Sequence, residues 1–396
     1  VDNLFSDRIA DVPRSFIREI LKTALQPNVI SFAGGLPNRD LFPVQEIRDA
    51  ALAVIDREGR ELLQYGNSEG SPKLRASIAD RYRTVQGLDV AIEDILITNG
   101  SQQGLDLLGK VFLNEGDGLV IEEPGYLGAI QAFSLYRPKF LPVPVSDGGM
   151  DVERLRKALS AARPKLMYTV PNFQNPSGIS YSDENRKAVA EALQGTGTVL
   201  IEDDPYGDLR FSGEPCRSFR HYLPDQTVLL GSFSKTVVPG FRLGWVVAPR
   251  HMMEKLIVAK QAADLHTSHI PQAIIHQYLA SNDLDRHIAT IREAYGRQCQ
   301  AMLRSMAKDF PRGVTHTRPE GGMFVWAELP EGLAALDLFE LAVKENVVFV
   351  PGDPFYIDRT RTRTMRLNFS CVDEATIATG IERLGKAIRE MLERPE

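Results

Sequence analysis

Residues 94–113, DILITNGSQQGLDLLGKVFL, open on the apolar run Ile95–Thr98 and break at Asn99-Gly100-Ser101. They continue with Leu105, Leu108 and Phe112 at helical spacing. Strand, polar turn and helix in one short stretch make the half-unit of an α/β fold, and the pattern recurs. Residues 117–133, DGLVIEEPGYLGAIQAF, read strand, loop, helix. PKLMYTVPNFQNPSG (164–178) reads strand and loop, with a helix from DENRKAVAEALQ (183–194). TVLIEDDPYGDL (198–209) and TVLLGSFSK (227–235) each read strand and loop, and RLGWVVAP (242–249) is a further strand. Short apolar runs alternating with helical ones predict a mostly parallel sheet covered on both faces. Before them lie the Gly/Pro-rich loop 30–43 and two amphipathic helices, 43–59 and 71–87, and before that a helix from about Ser15. From about Leu284 the rhythm becomes one long helix, then the strands GGMFVWAEL, VVFVPG and TMRLNFS and two more helices, a separate α+β lobe.

The chain has 396 residues, 43% hydrophobic and 25% charged, the size of two domains or of a large domain with a smaller lobe. A net charge of −6 argues against nucleic acid or an anionic membrane as main partner. No apolar run is long enough to span a bilayer. Cys216, Cys299 and Cys371 lie far apart, which excludes a disulfide framework and a zinc-ribbon spacing. The first residues lack the apolar core of a secretory leader, so the cytoplasm is the expected compartment. GSFSKT fails as a phosphate-binding P-loop on spacing, and GTGTVL fails as a dinucleotide fingerprint because it precedes a strand and lacks a third Gly. His266 and His269 stand three apart without a carboxylate or cysteine at ligand spacing, so no metal is expected there.

In an open α/β sheet, ligands sit outside the carboxyl ends of the strands. Those ends carry Gly100, Ser101 and Gln102; Tyr126; Asn175; Asp203 with Tyr206; and Ser232, Ser234 and Lys235, with Arg242 a few residues on. Taken singly, each has a plain role. Ser101 caps a helix, Tyr126 packs in the core, Asn175 serves a turn before Pro176, Asp203 and Asp204 cap the segment after them, and Lys235 is solvated. Taken together, they meet the demands of pyridoxal phosphate. A Gly-Ser helix start with Arg242 seats the phosphate, and an aromatic plate covers the ring. A carboxylate holds the ring nitrogen protonated, a phenol and an amide bind the 3-oxygen, and the lysine forms the Schiff base.

The five stretches ISFAGGLPNRDLFP, NGSQQGL, PNFQNPSG, IEDDPYGDLRF and SFSKTVVPGFRLGW, in that order, resemble the class I/II aminotransferases of the fold-type I pyridoxal phosphate enzymes. They are most similar to the 2-aminoadipate and kynurenine aminotransferase-like branch. The resemblance runs nearly end to end. It implies an α/β large domain with a mostly parallel seven-stranded sheet (46–285), a small α+β domain (286–396), and an N-terminal arm and lid (1–45) that belongs to the small domain. It further implies that Lys235 is the Schiff-base lysine and shuttles the substrate proton, and that Asp203 pairs with the ring nitrogen. Asp203 is preferred to Asp204 because Tyr206 then falls at the family's three-residue offset. Tyr206 and Asn175 contact the 3-oxygen and Tyr126 stacks on the ring. Ser101, Gln102, Ser232, Ser234 and Arg242 hold the phosphate. Tyr65 reaches the phosphate of a neighbouring subunit, which implies a homodimer with shared sites. Arg366, with Asn175, grips the substrate α-carboxylate, and the backbone at Gly34 and Gly35 lies beside it.

The implied reaction moves the amino group of an L-amino acid to a 2-oxo acid, with 2-oxoglutarate the expected acceptor, by a ping-pong sequence. In similar enzymes the N-terminal helix is a substrate lid. Arg18 there is the candidate for a distal carboxylate, Arg14 a weaker one, and a solvated helix arginine is the plain alternative. A carbon–sulfur β-lyase on the same scaffold is the enzymatic alternative. The ligand-sensing half of a MocR-type regulator is the non-enzymatic one. It is disfavoured because the chain starts at the arm before SFAGGLPN and carries no basic patch.

Overall fold

The structure is a computed structural model that describes residues 4–10, 28–358 and 360–393. The expected helix from Ser15, with Arg14 and Arg18, lies outside the described residues. In chain order the helices are α1 Asp7–Ala10, α2 Val44–Leu62, α3 Pro72–Gln86, α4 Ser101–Phe112, α5 Leu127–Ser134, α6 Val152–Ala162, α7 Asp183–Leu193, α8 Arg250–Asp264, α9 His269–Ser281, α10 Leu284–Asp309, α11 Ala335–Lys344 and α12 Glu374–Leu392. The large-sheet strands are β2 Ile95–Asn99, β3 Gly118–Glu123, β4 Lys139–Ser146, β5 Gly149–Met150, β6 Leu166–Thr169, β7 Val199–Asp203, β8 Thr227–Ser232 and β9 Leu243–Val247. The others are β1 Ile30–Ser31, β10 Thr315–His316, β11 Phe324–Glu328, β12 Val347–Val348, β13 Val350–Pro351 and β14 Thr364–Asn368.

The large sheet runs β2-β9-β8-β7-β6-β3-β4-β5. Among the described residues it has eight strands where seven were expected. The extra one, β5, is a two-residue strand folded back on β4 through the turn at Gly148. Six strands are mutually parallel; β9 and β5 run the other way. The reversal of β9 follows from its connection. Residues 233–242 are too few for the helical crossover that a parallel neighbour needs. That short return carries Lys235.

Alternation along each strand splits the apolar residues between two helix layers. Leu96, Ile121, Tyr168 and Ile201 belong to one core, which continues into the small sheet through Phe324, Leu367 and Phe369. Ile95, Ile97 and Val247 pack on the other face against Leu74, Ile78, Ile275 and Tyr278 of α3 and α9. α4 lies close on the first face because Gly104 has no side chain. A Cβ there would stand 2.9 Å from Leu230 Cδ2 and 3.1 Å from Val246 Cγ2. The small lobe holds an antiparallel sheet β10-β11-β14-β13, and β1 pairs in parallel with β12. Phe32 then donates to the carbonyl of Val348, and the Asn368 amide donates to that of Phe32, which fixes the loop from Ala33 to Gly35 over the end of β14.

Candidate active site

Register brings the strand ends to one edge. Asn99 of β2 pairs with Leu243 of β9, Ser232 of β8 with Gly244, and Asp203 of β7 with Leu230. The Asn99-Gly100-Ser101 turn, the Ser232–Lys235 segment and Arg242 are therefore neighbours across adjacent strands. Gly100, at φ 73° and ψ 165°, turns the chain from β2 into α4 and precedes the helix with no side-chain cap. Ser101 is the first helical residue, so the cap is not its role, and the first N–H groups of α4 stay free for an anion. Arg242 lies beside them: its Nη1 is 3.5 Å from Ser234 Oγ and 3.4 Å from the Pro239 carbonyl. Ser232 Oγ accepts from the Ser234 amide at 3.0 Å. Gln102 is exposed and donates to the carbonyl of Gly128, beside Tyr126 at the start of α5.

The acid doublet at the end of β7 is divided by strand alternation. Asp203, 2% exposed, shares the face of Ile201. Its Oδ2 accepts from the Tyr168 hydroxyl at 2.7 Å, and its Oδ1 has no partner among the described residues. Asp204 is occupied otherwise: its Oδ1 accepts from the Gly207 amide at 2.8 Å. With Glu202 it borders a separate cleft of about 730 Å³ lined also by Arg186 and Arg292. Burial pushes the Asp203 carboxyl up to about 7, the Tyr168 hydroxyl opposes this, and the charges of Asp204 and Glu122 add to the rise.

Asn175 joins two groups from distant parts of the chain. Its Nδ2 donates to Tyr206 Oη at 3.3 Å, and its Oδ1 accepts from Arg366 Nη1 at 2.7 Å. Arg366 Nη2 donates to the carbonyl of Ala33 at 2.8 Å. The guanidinium lies 4.4 Å from the ring centre of Phe324 and 5.2 Å from that of Phe355, while its Nε has no partner among the described residues. Burial lowers its pKa to about 10. Lys235 Nζ donates to the Gly35 carbonyl at 2.7 Å, two residues beyond the Arg366 acceptor. Burial brings the amine down to about 8; Cys371 opposes the fall, and the charges of Arg366 and Arg242 add to it. Tyr126 is raised to about 12 by burial and by Asp203, with Arg366 and Arg242 pulling the other way. The chain Tyr206–Asn175–Arg366 and the neighbouring Ala33 and Gly35 carbonyls that accept from Arg366 and Lys235 tie these groups into one cluster.

One residue stands apart. Tyr65 is 79% exposed and touches His266 edge to face at 5.7 Å. His266 and His269 do not lie on one helical face. α8 ends at Asp264 and is capped by Leu265, whose φ is 65°, so His266 sits in the following loop and His269 opens α9. Sequence reasoning passed over Tyr168, Phe324, Phe355 and the Ala33 carbonyl. Only Tyr168 had a signal, since strand alternation puts a polar hydroxyl on the apolar face of β6.

The family model for aminotransferase class I and II matches residues 27–384. The chain is 42% identical to the 2-aminoadipate transaminase of Thermus thermophilus over 96% of its own length and 95% of that protein. It is 41% identical to the aromatic-amino-acid aminotransferase 1 of Thermococcus litoralis over 99% and 96%. Among solved structures, the kynurenine aminotransferase of Pyrococcus horikoshii, crystallised with PMP, superposes with a TM-score of 0.94 at 40% identity, covering 99% of this chain and 98% of that one. An open α/β sheet with a charged basin at its strand ends, found in full-length relatives of this kind, has one source: the chain belongs to the class I and II aminotransferases and is a pyridoxal phosphate-dependent enzyme of amino-group transfer.

Proposed function

We propose that this enzyme moves the amino group of an L-amino acid to 2-oxoglutarate in two half-reactions at the basin around Lys235. The observation that carries the assignment is the orphaned Oδ1 of Asp203. A buried carboxylate oxygen without a donor is costly, and a protonated ring nitrogen is the donor it lacks. The neighbouring groups fit the rest of pyridoxal phosphate. Free N–H groups of α4 with Ser101, Gln102, Ser232, Ser234 and Arg242 suit the phosphate. Tyr126 suits the ring face, Tyr206 and Asn175 suit the 3-oxygen, and Lys235 suits the aldehyde. When bound, the cofactor supplies a carbonyl that takes up the amine and a ring that accepts charge from Cα.

The chain's own residues then divide the work. Arg366, desolvated and braced by Asn175 and Ala33, holds the substrate carboxylate and so turns the Cα–H bond toward the amine. Lys235 is the proton carrier. An amine lowered to about 8 is part neutral at pH 7, so Nζ can take a proton and return it. Asp203, ionised, holds the ring nitrogen protonated. Arg18 is the proposed contact for a distal carboxylate of glutamate or 2-aminoadipate. The proposed units are an arm and lid (1–45), a cofactor-binding domain (46–285) and a small domain (286–396). The pairing of β1 with β12 supports grouping the arm with the small domain. A cytoplasmic homodimer with shared sites completes the proposal. Leu36, Val44, Leu52, Ile55, Leu63 and Tyr65 are exposed apolar groups of the kind that a partner subunit would cover. No helix among the described residues is long and apolar enough to cross a membrane.

A panel of amino donors tests this, each mixed with enzyme alone and followed by the cofactor's absorbance, then chased with 2-oxoglutarate. Lys235→Ala removes turnover. Mixing that variant with Tyr65→Ala restores part of it, because one site of the mixed dimer has both residues. Near-normal transamination by Lys235→Ala, or pyruvate and ammonia in place of glutamate, refutes the assignment.

A further inference from the structure

Tyr168 sits in β6 and is fully buried. Its ladder partner is Ile201, two residues before Asp203 and hence on the same face of the sheet. A tyrosine spans that diagonal between adjacent strands, and its hydroxyl donates to Asp203 Oδ2 at 2.7 Å. The ring is held edge to face against Phe133 of α5, 5.9 Å between centres, with both residues buried. The helix that begins beside Tyr126 thus also clamps the group behind Asp203. Among the described residues no lysine or arginine lies within ion-pair distance of Asp203. Burial, and then Asp204 and Glu122, oppose its charged form, and the Tyr168 hydroxyl favours it.

We propose that Tyr168 is a positioning residue whose hydroxyl holds Asp203 ionised and turned so that Oδ1 meets the ring nitrogen of the cofactor. The inference rests on the proposed pairing of Asp203 with that nitrogen. A neutral donor suits the task better than a cation. A lysine at this place would compensate the carboxylate and compete with the ring for its charge, whereas a phenol supports the charge and leaves it unspent. The phenol is itself kept from ionising by burial and by Asp203, so it stays a donor. One oxygen tied and one free is what a carboxylate needs to present a single acceptor in a fixed direction.

Tyr168→Phe removes one oxygen and keeps the ring packing. Its apoenzyme is titrated with pyridoxal phosphate and with 1-deazapyridoxal phosphate, in which carbon replaces the ring nitrogen. The dissociation constant for pyridoxal phosphate rises about tenfold, the equivalent of one unit in the carboxyl's acidity. That for the deaza analogue stays unchanged, and the thermal unfolding midpoint confirms a folded protein. Equal weakening of both, or of neither, overturns the proposal, since a merely structural tyrosine treats the two alike. Should Tyr168→Phe not fold, 3-fluorotyrosine at position 168 keeps the packing and makes the hydroxyl a stronger donor. It tightens pyridoxal phosphate relative to the deaza analogue, and an unchanged ratio overturns the proposal. Asp203→Asn separates the two layers of inference. If that variant keeps the wild-type preference for a ring nitrogen, the pairing with Asp203 fails, whatever Tyr168 does.

Discussion

Gly100→Ala tests the phosphate seat in two independent ways. At φ 73° and ψ 165° the backbone of Gly100 lies where an alanine is strained by about 1–3 kcal/mol. Its new Cβ would stand 2.5 Å from Arg242 Nη2 and 3.1 Å from Cζ. Contact normally begins near 3.5 Å, so the guanidinium must withdraw by about 1 Å. That withdrawal costs the fold little, because Arg242 is exposed and its two hydrogen bonds are long, 3.5 and 3.4 Å. It costs the phosphate more. A charge-assisted hydrogen bond is worth about 1.5–3 kcal/mol, roughly ten- to a hundredfold in affinity. The apoenzyme is titrated with pyridoxal phosphate and with pyridoxal, which lacks the phosphate, and unfolded in urea. Pyridoxal phosphate should weaken by about that factor, pyridoxal should not, and stability should fall only by the strain. An unchanged affinity for pyridoxal phosphate in the folded variant would refute the placement of Arg242, and so would a loss shared equally by pyridoxal.

Arg366→Lys keeps a positive charge but loses the fork that spans Asn175 Oδ1 and the Ala33 carbonyl. KM for amino acids should rise about tenfold or more, while amines without an α-carboxylate react as before; an unchanged KM removes Arg366 from substrate binding. The raised carboxyl of Asp203 predicts a pH signature in the apoenzyme. Between about 4 and about 7 the folded state holds a proton that the unfolded state has released. This group's stabilising contribution is therefore complete at low pH and is lost as the pH rises through about 7. Asp203→Asn should flatten that part of the stability–pH curve, and identical curves for variant and wild type would contradict the burial argument.

Six strands of the sheet were legible because they are short apolar runs punctuated by Gly, Asn and Pro; β4, Lys139–Ser146, was not legible, since Pro142 and Pro144 interrupt its run. The extra strand β5 was not, since Gly149–Met150 is too short to carry any period. The doublet Asp203–Asp204 marks the boundary for the site. Composition places an acid at the end of β7, but two adjacent acids are equivalent until the strand is packed. Packing then sends one to the core face with an unpartnered oxygen and ties the other to the Gly207 amide. Ser101 shows the same limit: a serine after glycine at a helix start reads as a cap until the backbone shows the cap to be Gly100.

From its residues alone the chain determined its layers, its strand ends and the kinds of group that stand on them. Periodicity, turn chemistry and composition are local, and they act within a few residues. Tertiary structure alone decided that Arg366 meets Asn175 across 191 positions of sequence and that Lys235 rests on the Gly35 carbonyl across 200. It also decided that the lysine is lowered to about 8. Those outcomes depend on which strands become neighbours and on how much water their contact removes, and neither quantity exists before the chain has folded.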